Sequence, residues 1–142
     1  MELSIDQILK QGNAALNAGN LQEAERLYRT IMRAQPEHPD ANHNLGLIAI
    51  SMNHQSAALP LFKRAIGANP NVEQYWISYI EALVAERQFE DVKRALKKAK
   101  KKGVTKEKLK TLTKKLMSVK AGNIPTSAPS QAEMQELINH YQ

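Results

Sequence analysis

Four histidines, His38, His43, His54 and His140, are the side chains of this chain best suited to acid–base or metal chemistry. His38 and His43 straddle a proline turn, and the other two lie far from them in sequence. No pair stands at the i, i+4 helical spacing, with an acid between, that a zincin-like metal site needs. The six glycines build neither a phosphate-cradling loop nor a nucleophile elbow. Carboxylates are dispersed. Cysteine is absent, which removes disulfide frameworks and cysteine zinc sites. No group of residues meets the requirements of an active site. The sequence therefore predicts no enzymatic activity, no cofactor and no metal, with the imidazoles facing solvent or lining a groove.

What the residues do support is a scaffold. Ala, Leu, Lys, Glu and Gln dominate, as in good helix formers, and no alternating β-branched runs occur. Sliding the chain by 34 positions brings out an internal repeat. Gly12 falls on Gly46, Ala24 on Ala58, Leu27 on Leu61, Tyr28 on Phe62 and Pro36 on Pro70. A second shift places Asn42 on Trp76, Ala58 on Val92 and Ala65 on Ala99. Small residues at 12 and 46 let two helices approach, with Ala24 and Ala58 opposite them. Tyr28 and Phe62 are the bulky knobs. Pro36 and Pro70 end the second helix of each unit, since proline cannot continue the hydrogen-bond ladder. Gly19-Asn20 and Asn53-His54 break the chain between helices.

This pattern resembles the tetratricopeptide repeat. The resemblance implies an all-α fold: a right-handed solenoid of three helix–turn–helix units, a capping helix and a C-terminal helix. The units run about 5–38, 39–72 and 73–106. Helices are expected at Ile5–Ala18, Leu21–Gln35, Asp40–Met52, Gln55–Ala68, Val72–Glu86 and Phe89–Lys101. Ser4 and Gln7 form a capping box for the first. Ile80 stands where the family has a small residue, so the third crossing should be wider. Pro60 inside a second helix predicts a kink or a late start.

The resemblance also implies a peptide-gripping concave face built from the first helix of each unit. Mapped onto this chain, that face takes in Leu9, Asn13, Leu16, Asn17, His43, Asn44, Leu47, Ile50, Ile77, Glu81 and Val84, with Asp40 and Gln74 alongside. Leu9, His43 and Ile77 occupy positions where chaperone-binding members carry carboxylate-clamping lysines, so that clamp should be absent. Lys10, Asn44 and Ser78 occupy the asparagine-ladder positions, leaving one rung. The strip Leu9, Leu16, Leu47, Ile50, Ile77 and Val84 is read as groove lining, against the alternative that part of it is internal core.

The net charge is +6, yet residues 92–120 alone carry twelve lysines, one arginine and one acid. Leu109, Leu112 and Leu116 recur at helical spacing within this segment, so 106–120 is expected to be a basic helix capping the array, with Thr105 as its N-cap. A nucleic-acid or anionic-surface role is the alternative. Nucleic acid is disfavoured, because the run Lys93–Lys120 has no aromatic residue for stacking on bases.

Residues 121–129 read as a linker, and 130–142 as a helix resembling the start of another repeat. Met134, Leu137, Ile138 and Tyr141 share one face of it. They are expected to dock in a groove of the same chain or of a second copy, giving a homodimer and a self-assembly module as a further alternative. The repeat start suggests a piece of a longer protein. It resembles the opening of a second repeat block in bacterial proteins with a downstream glycosyltransferase or sulfotransferase domain. The first ten residues hold acids and no signal-like apolar run, and no stretch approaches the ~20 apolar residues of a membrane span. The expected location is cytoplasmic. The leading expectation is protein–protein interaction, with a protein or peptide ligand in the concave groove.

Overall fold

The structure, a computed structural model, describes residues 3–122. Seven α-helices make up the described residues. They are α1 (Ile5–Asn17), α2 (Leu21–Ala34), α3 (Pro39–Ser51), α4 (Gln55–Ala68), α5 (Glu73–Ala85), α6 (Phe89–Lys101) and α7 (Lys106–Lys120). The predicted boundaries of these seven hold to within one residue. The linker beyond Gly122 and the predicted C-terminal helix, with Met134, Leu137, Ile138 and Tyr141, lie outside the described residues.

Each helix start has a local cause. Ser4 Oγ accepts the Gln7 N–H at 3.1 Å while Gln7 Oε1 accepts the Ser4 N–H at 2.8 Å, closing the expected capping box. Asn20 caps α2 and Thr105 caps α7 in the simpler one-way manner. At α3, Pro39 occupies the first turn and His38 Nδ1 accepts the Ala41 N–H at 3.1 Å. The turn inside each unit is equally regular. Gly19, Asn53 and Arg87 stand 34 residues apart and all adopt positive φ, at 79°, 62° and 58°. Glycine and asparagine enter that region readily; arginine does so against steric resistance. Helix α4 runs unbroken from Gln55 with Pro60 exposed inside it, so the expected late start does not occur. Placing proline in the second turn limits the loss to a single backbone bond.

Within a unit the helices meet on a glycine. A Cβ on Gly12 would lie 2.7 Å from Tyr28 Cε1, and one on Gly46 would lie 2.4 Å from Phe62 Cε1. The aromatic ring thus fills the space where a side chain would stand. Ala24 and Ala58 are fully buried at the same crossings. The third unit inverts the sizes. Buried Ile80 takes the glycine position and half-buried Leu96 takes the aromatic one. Helices α5 and α6 accordingly pack less closely than the earlier pairs, as the sequence predicts. Beyond them α7 lays Leu112, Leu116 and Val119 against the third unit and closes its apolar edge.

The core forms two clusters, one around Tyr28, Ile31, Leu47 and Phe62, the other around Trp76, Ile80, Leu83, Val92 and Leu112. They overturn one expectation. Leu16, Leu47, Ile50, Ile77 and Val84 are buried core residues rather than groove lining, and Leu9 packs half-buried against the first cluster. The physical reason is the position of α3 and α5 inside the array. Helix α3 meets α2, α4 and α5, and every residue from Ala41 to Ile48 is buried. A first helix with neighbours on both sides has almost no free face.

Candidate peptide groove

What remains open on the concave side is a trough of about 750 Å³ with a mixed polar and apolar lining. Helix α1 supplies Lys10, Asn13, Ala14 and Asn17 at i, i+3, i+4 and i+7, the face opposite its core stripe. Helix α3 adds Asp40 from its first turn, and α5 adds Glu73, Gln74 and Tyr75 from its own. Asn69 and Val72 complete the rim. The trough carries one cationic and two anionic side chains, together with the carboxamides of Asn13, Asn17, Asn69 and Gln74. Tyr75 donates its hydroxyl to Asp40, tying the first turns of α3 and α5 together across the floor.

Beneath the trough runs a continuous chain of hydrogen bonds. Gln74 Nε2 donates to Ser78 Oγ at 3.3 Å, and Ser78 Oγ lies 2.8 Å from His43 Nε2. His43 Nδ1 lies 3.3 Å from Asn44 Oδ1. Asn44 Nδ2 in turn donates to Asn13 Oδ1 at 3.0 Å and to Tyr28 Oη at 3.2 Å. The Tyr28 hydroxyl closes the series by donating to Asn13 Oδ1 at 2.7 Å. One tautomer satisfies every partner: His43 carries its proton on Nδ1 for Asn44 and accepts at Nε2 from the Ser78 hydroxyl. Burial enforces that neutral form. It pushes the His43 pKa down to about 4, outweighing the upward pull of the Asn44 bond and of the Asp40 charge. Burial likewise raises the Tyr28 phenol and keeps it a neutral donor. The His43 ring also rests on Phe62 and Tyr75, with centroids 5.4 and 4.9 Å away.

The predicted site residues therefore divide. Asn13 and Asn17 line the trough, as do Asp40 and Gln74. His43 and Asn44 are fully buried in its wall, where sequence reasoning placed an exposed imidazole. Glu81 turns toward the cap and pairs with Lys115 Nζ at 3.2 Å. The sequence reading missed Ala14, Glu73 and Tyr75 as lining residues. The polar residues Lys10, Asn13 and Asn17, one helical face opposite the apolar stripe, were the available signal. Among the described residues, no group of three or more histidines and carboxylates could hold a metal.

Residues 9–73 match the family model for the tetratricopeptide repeat. Tetratricopeptide repeats occupy this stretch. Tetratricopeptide repeat protein 7A of Homo sapiens is 30% identical over 80 residues, covering 56% of this chain and 9% of that protein. Cellulose synthase operon protein C of Komagataeibacter xylinus is 26% identical over 87 residues, covering 61% of this chain and 7% of its own length. The chain thus spans less than a tenth of the curated relatives it matches. Among solved structures, the first tetratricopeptide domain of Spaghetti (RPAP3), bound to the HSP90 peptide SRMEEVD, superposes with a TM-score of 0.72 at 17% identity. That match covers 82% of this chain and 93% of the other. No helix among the described residues is long and apolar enough to cross a membrane.

Proposed function

We propose that the three repeats hold an extended peptide or a helix from a partner protein in the trough between α1, α3 and α5. The observation that carries this reading is the trough itself: it is open and lined with the carboxamides of Asn13, Asn17, Asn69 and Gln74, of which Asn13 and Gln74 also bond to the network beneath it. Side chains of this type match the alternating N–H and C=O groups of a peptide backbone without demanding a particular sequence. The nearby charges then set preference. Asp40 and Glu73 at one side favour a basic ligand residue, and Lys10 favours an acidic one opposite them. The Spaghetti (RPAP3) domain, similar in fold, holds a peptide. Its ligand is acidic, whereas this trough carries one lysine against two carboxylates, so a different peptide chemistry is expected here.

The reading is tested with peptides selected from a random displayed library against the whole 142-residue chain. Ala14 is exposed and lines the trough, so Ala14→Arg fills it without touching the core. Selected peptides should lose at least tenfold in affinity to Ala14→Arg, and severalfold to Gln74→Ala, in calorimetric titrations. Peptides that bind both variants as well as the parent chain occupy some other surface, and that outcome removes the trough as the site.

A further inference from the structure

The strongest unexplained feature outside the trough is the charge on α6 and α7. Twelve lysines fall within residues 92–120, and among the described residues two of them meet a carboxylate: Lys93 pairs with Glu90 and Lys115 with Glu81. The other ten form no ion pair with a described residue. Several stand one turn apart on the same helix, as Lys97 and Lys101 do on α6, and Lys106, Lys110 and Lys114 do on α7. Like charges at this spacing destabilise the helix that carries them. Capping the third unit needs only the opposite face, Leu112, Leu116 and Val119. Lysines in the last turns of α6 and α7 suit the helix dipole, but those along the outward face of α7 repel one another with no such compensation, as residues kept for an external partner do.

The outward face of α7 narrows the chemistry of that partner. Lys106, Lys110, Lys114, Met117 and Lys120 follow one line along the helix, all exposed, and Met117 is 66% exposed, the most open large hydrophobic side chain among the described residues. A methionine set between lysines has no role against phosphates alone. Beside a bilayer it enters the boundary between headgroups and acyl chains, while lysine stems lie along the surface with their ammonium groups on the phosphates. The remaining chemistry agrees. The charge is almost entirely lysine, a mobile point charge suited to a diffuse anionic surface, rather than arginine with its fixed bidentate fork. The Phe89 ring at this end is half-buried beneath Arg87 and Lys120 rather than open for stacking on a base. The turn at 102–105 joins the two helices and brings Lys101, Lys102 and Lys106 close in the chain.

We infer that the outward face of α7, with the lysines at the end of α6, is an electrostatic docking surface for an anionic lipid bilayer. Binding is reversible and peripheral, since the apolar face of α7 is committed to the core and only Met117 is free to enter the lipid. The two surfaces adjoin at one point, where the Thr105 N–H at the start of α7 donates to Glu73 Oε2 on the trough rim at 3.0 Å.

The test is co-sedimentation of the whole chain with vesicles of phosphatidylcholine alone or with 30% phosphatidylserine, and titration of a fluorescent 25-base-pair DNA duplex. Binding to the phosphatidylserine vesicles only, weakening steeply with added salt, is the expected result. Substituting Lys106→Gln, Lys110→Gln and Lys114→Gln together should lower vesicle affinity about 100-fold. All three side chains are largely solvent-facing, so circular dichroism should report unchanged helicity. Met117→Ser should weaken vesicle binding severalfold and leave any duplex binding unchanged. The inference is overturned by equal binding to both vesicle types, by a triple variant that binds as the parent does, or by tighter binding to the duplex with Met117→Ser silent. The last result would make the face a phosphate-backbone site for nucleic acid.

Discussion

The indole N–H of Trp76 donates to the carbonyl of Pro70 at 2.8 Å, and 34 residues earlier Asn42 Nδ2 makes the same bond to the carbonyl of Pro36 at 3.0 Å. Two side chains with no chemical likeness beyond an N–H do one job in successive repeats: each pins the proline that ends the preceding helix. Trp76→Phe removes the donor and, since phenyl is smaller than indole, part of the buried ring. It should cost about 2–3 kcal/mol, roughly 1 for the hydrogen bond and the rest for the space left behind. Urea unfolding followed by circular dichroism measures it, and an unchanged midpoint would show the bond to be dispensable.

Glycine to alanine should change sign with position. At Gly46 the new methyl meets the Phe62 ring inside van der Waals distance, and overpacking of this kind costs about 1–3 kcal/mol. At Gly67, exposed in α4, nothing lies within 4 Å of the new methyl. There the variant should gain about 0.5–1 kcal/mol from helix propensity. Thermal melts of the two variants side by side decide the matter, and equal shifts would contradict the crossing geometry.

The cap should respond to one face only. Leu112→Asp buries a charge against the third unit and should destabilise by at least 3 kcal/mol. Lys114→Ala, on the exposed face, should stay within about 0.5 kcal/mol. If both substitutions are silent in hydrogen exchange of α5 and α6, then α7 does not hold that edge in solution.

Acid should weaken the fold through His43. Its pKa is about 4 in the folded chain against 6.5 for a free imidazole. The unfolded state therefore takes up the proton first. The imidazole contribution to stability is complete above pH 6.5, falls as the pH drops from there to about 4, and flattens below. The loss amounts to roughly 3 kcal/mol over that window. His43→Gln should start from a lower stability and lack this component, which comparison of unfolding curves at pH 7 and pH 4.5 will reveal. A parent chain with the same pH dependence as the variant would place the acid sensitivity elsewhere.

The repeat was legible because its signals are local. A shift of 34 finds Gly12 and Gly46, and the breakers at 19 and 53 mark the turns without any knowledge of packing. Even the departure at Ile80 could be read as a wider crossing. The trough was not legible in the same way. Leu47, Ile50, His43 and Asn44 sit on the helix that the family exposes, and nothing in a single sequence tells how thoroughly α2, α4 and α5 bury it. His43 in particular carries a polar name in an apolar place. Its burial depends on Ser78, 35 residues away, and on the rings of Phe62 and Tyr75. The true lining was announced by α1 alone, whose stripe of Lys10, Asn13, Ala14 and Asn17 opposite the core face needed no partner to be seen.

Arrays of stacked repeats commonly lose their ends first, each unit melting against a weak boundary with the next. The bonds from Gln74 through Ser78, His43 and Asn44 to Asn13 oppose that behaviour. Peeling away the first unit breaks the Asn44 bonds to Asn13 and Tyr28, and peeling away the third breaks the His43 bond to Ser78. Either step exchanges buried, mutually polarised hydrogen bonds for bonds to water, a net loss over and above the apolar contact that is broken. The three units should consequently melt as one, with a single transition and near-uniform protection of α1, α3 and α5, whereas a purely apolar stack of the same length would fray.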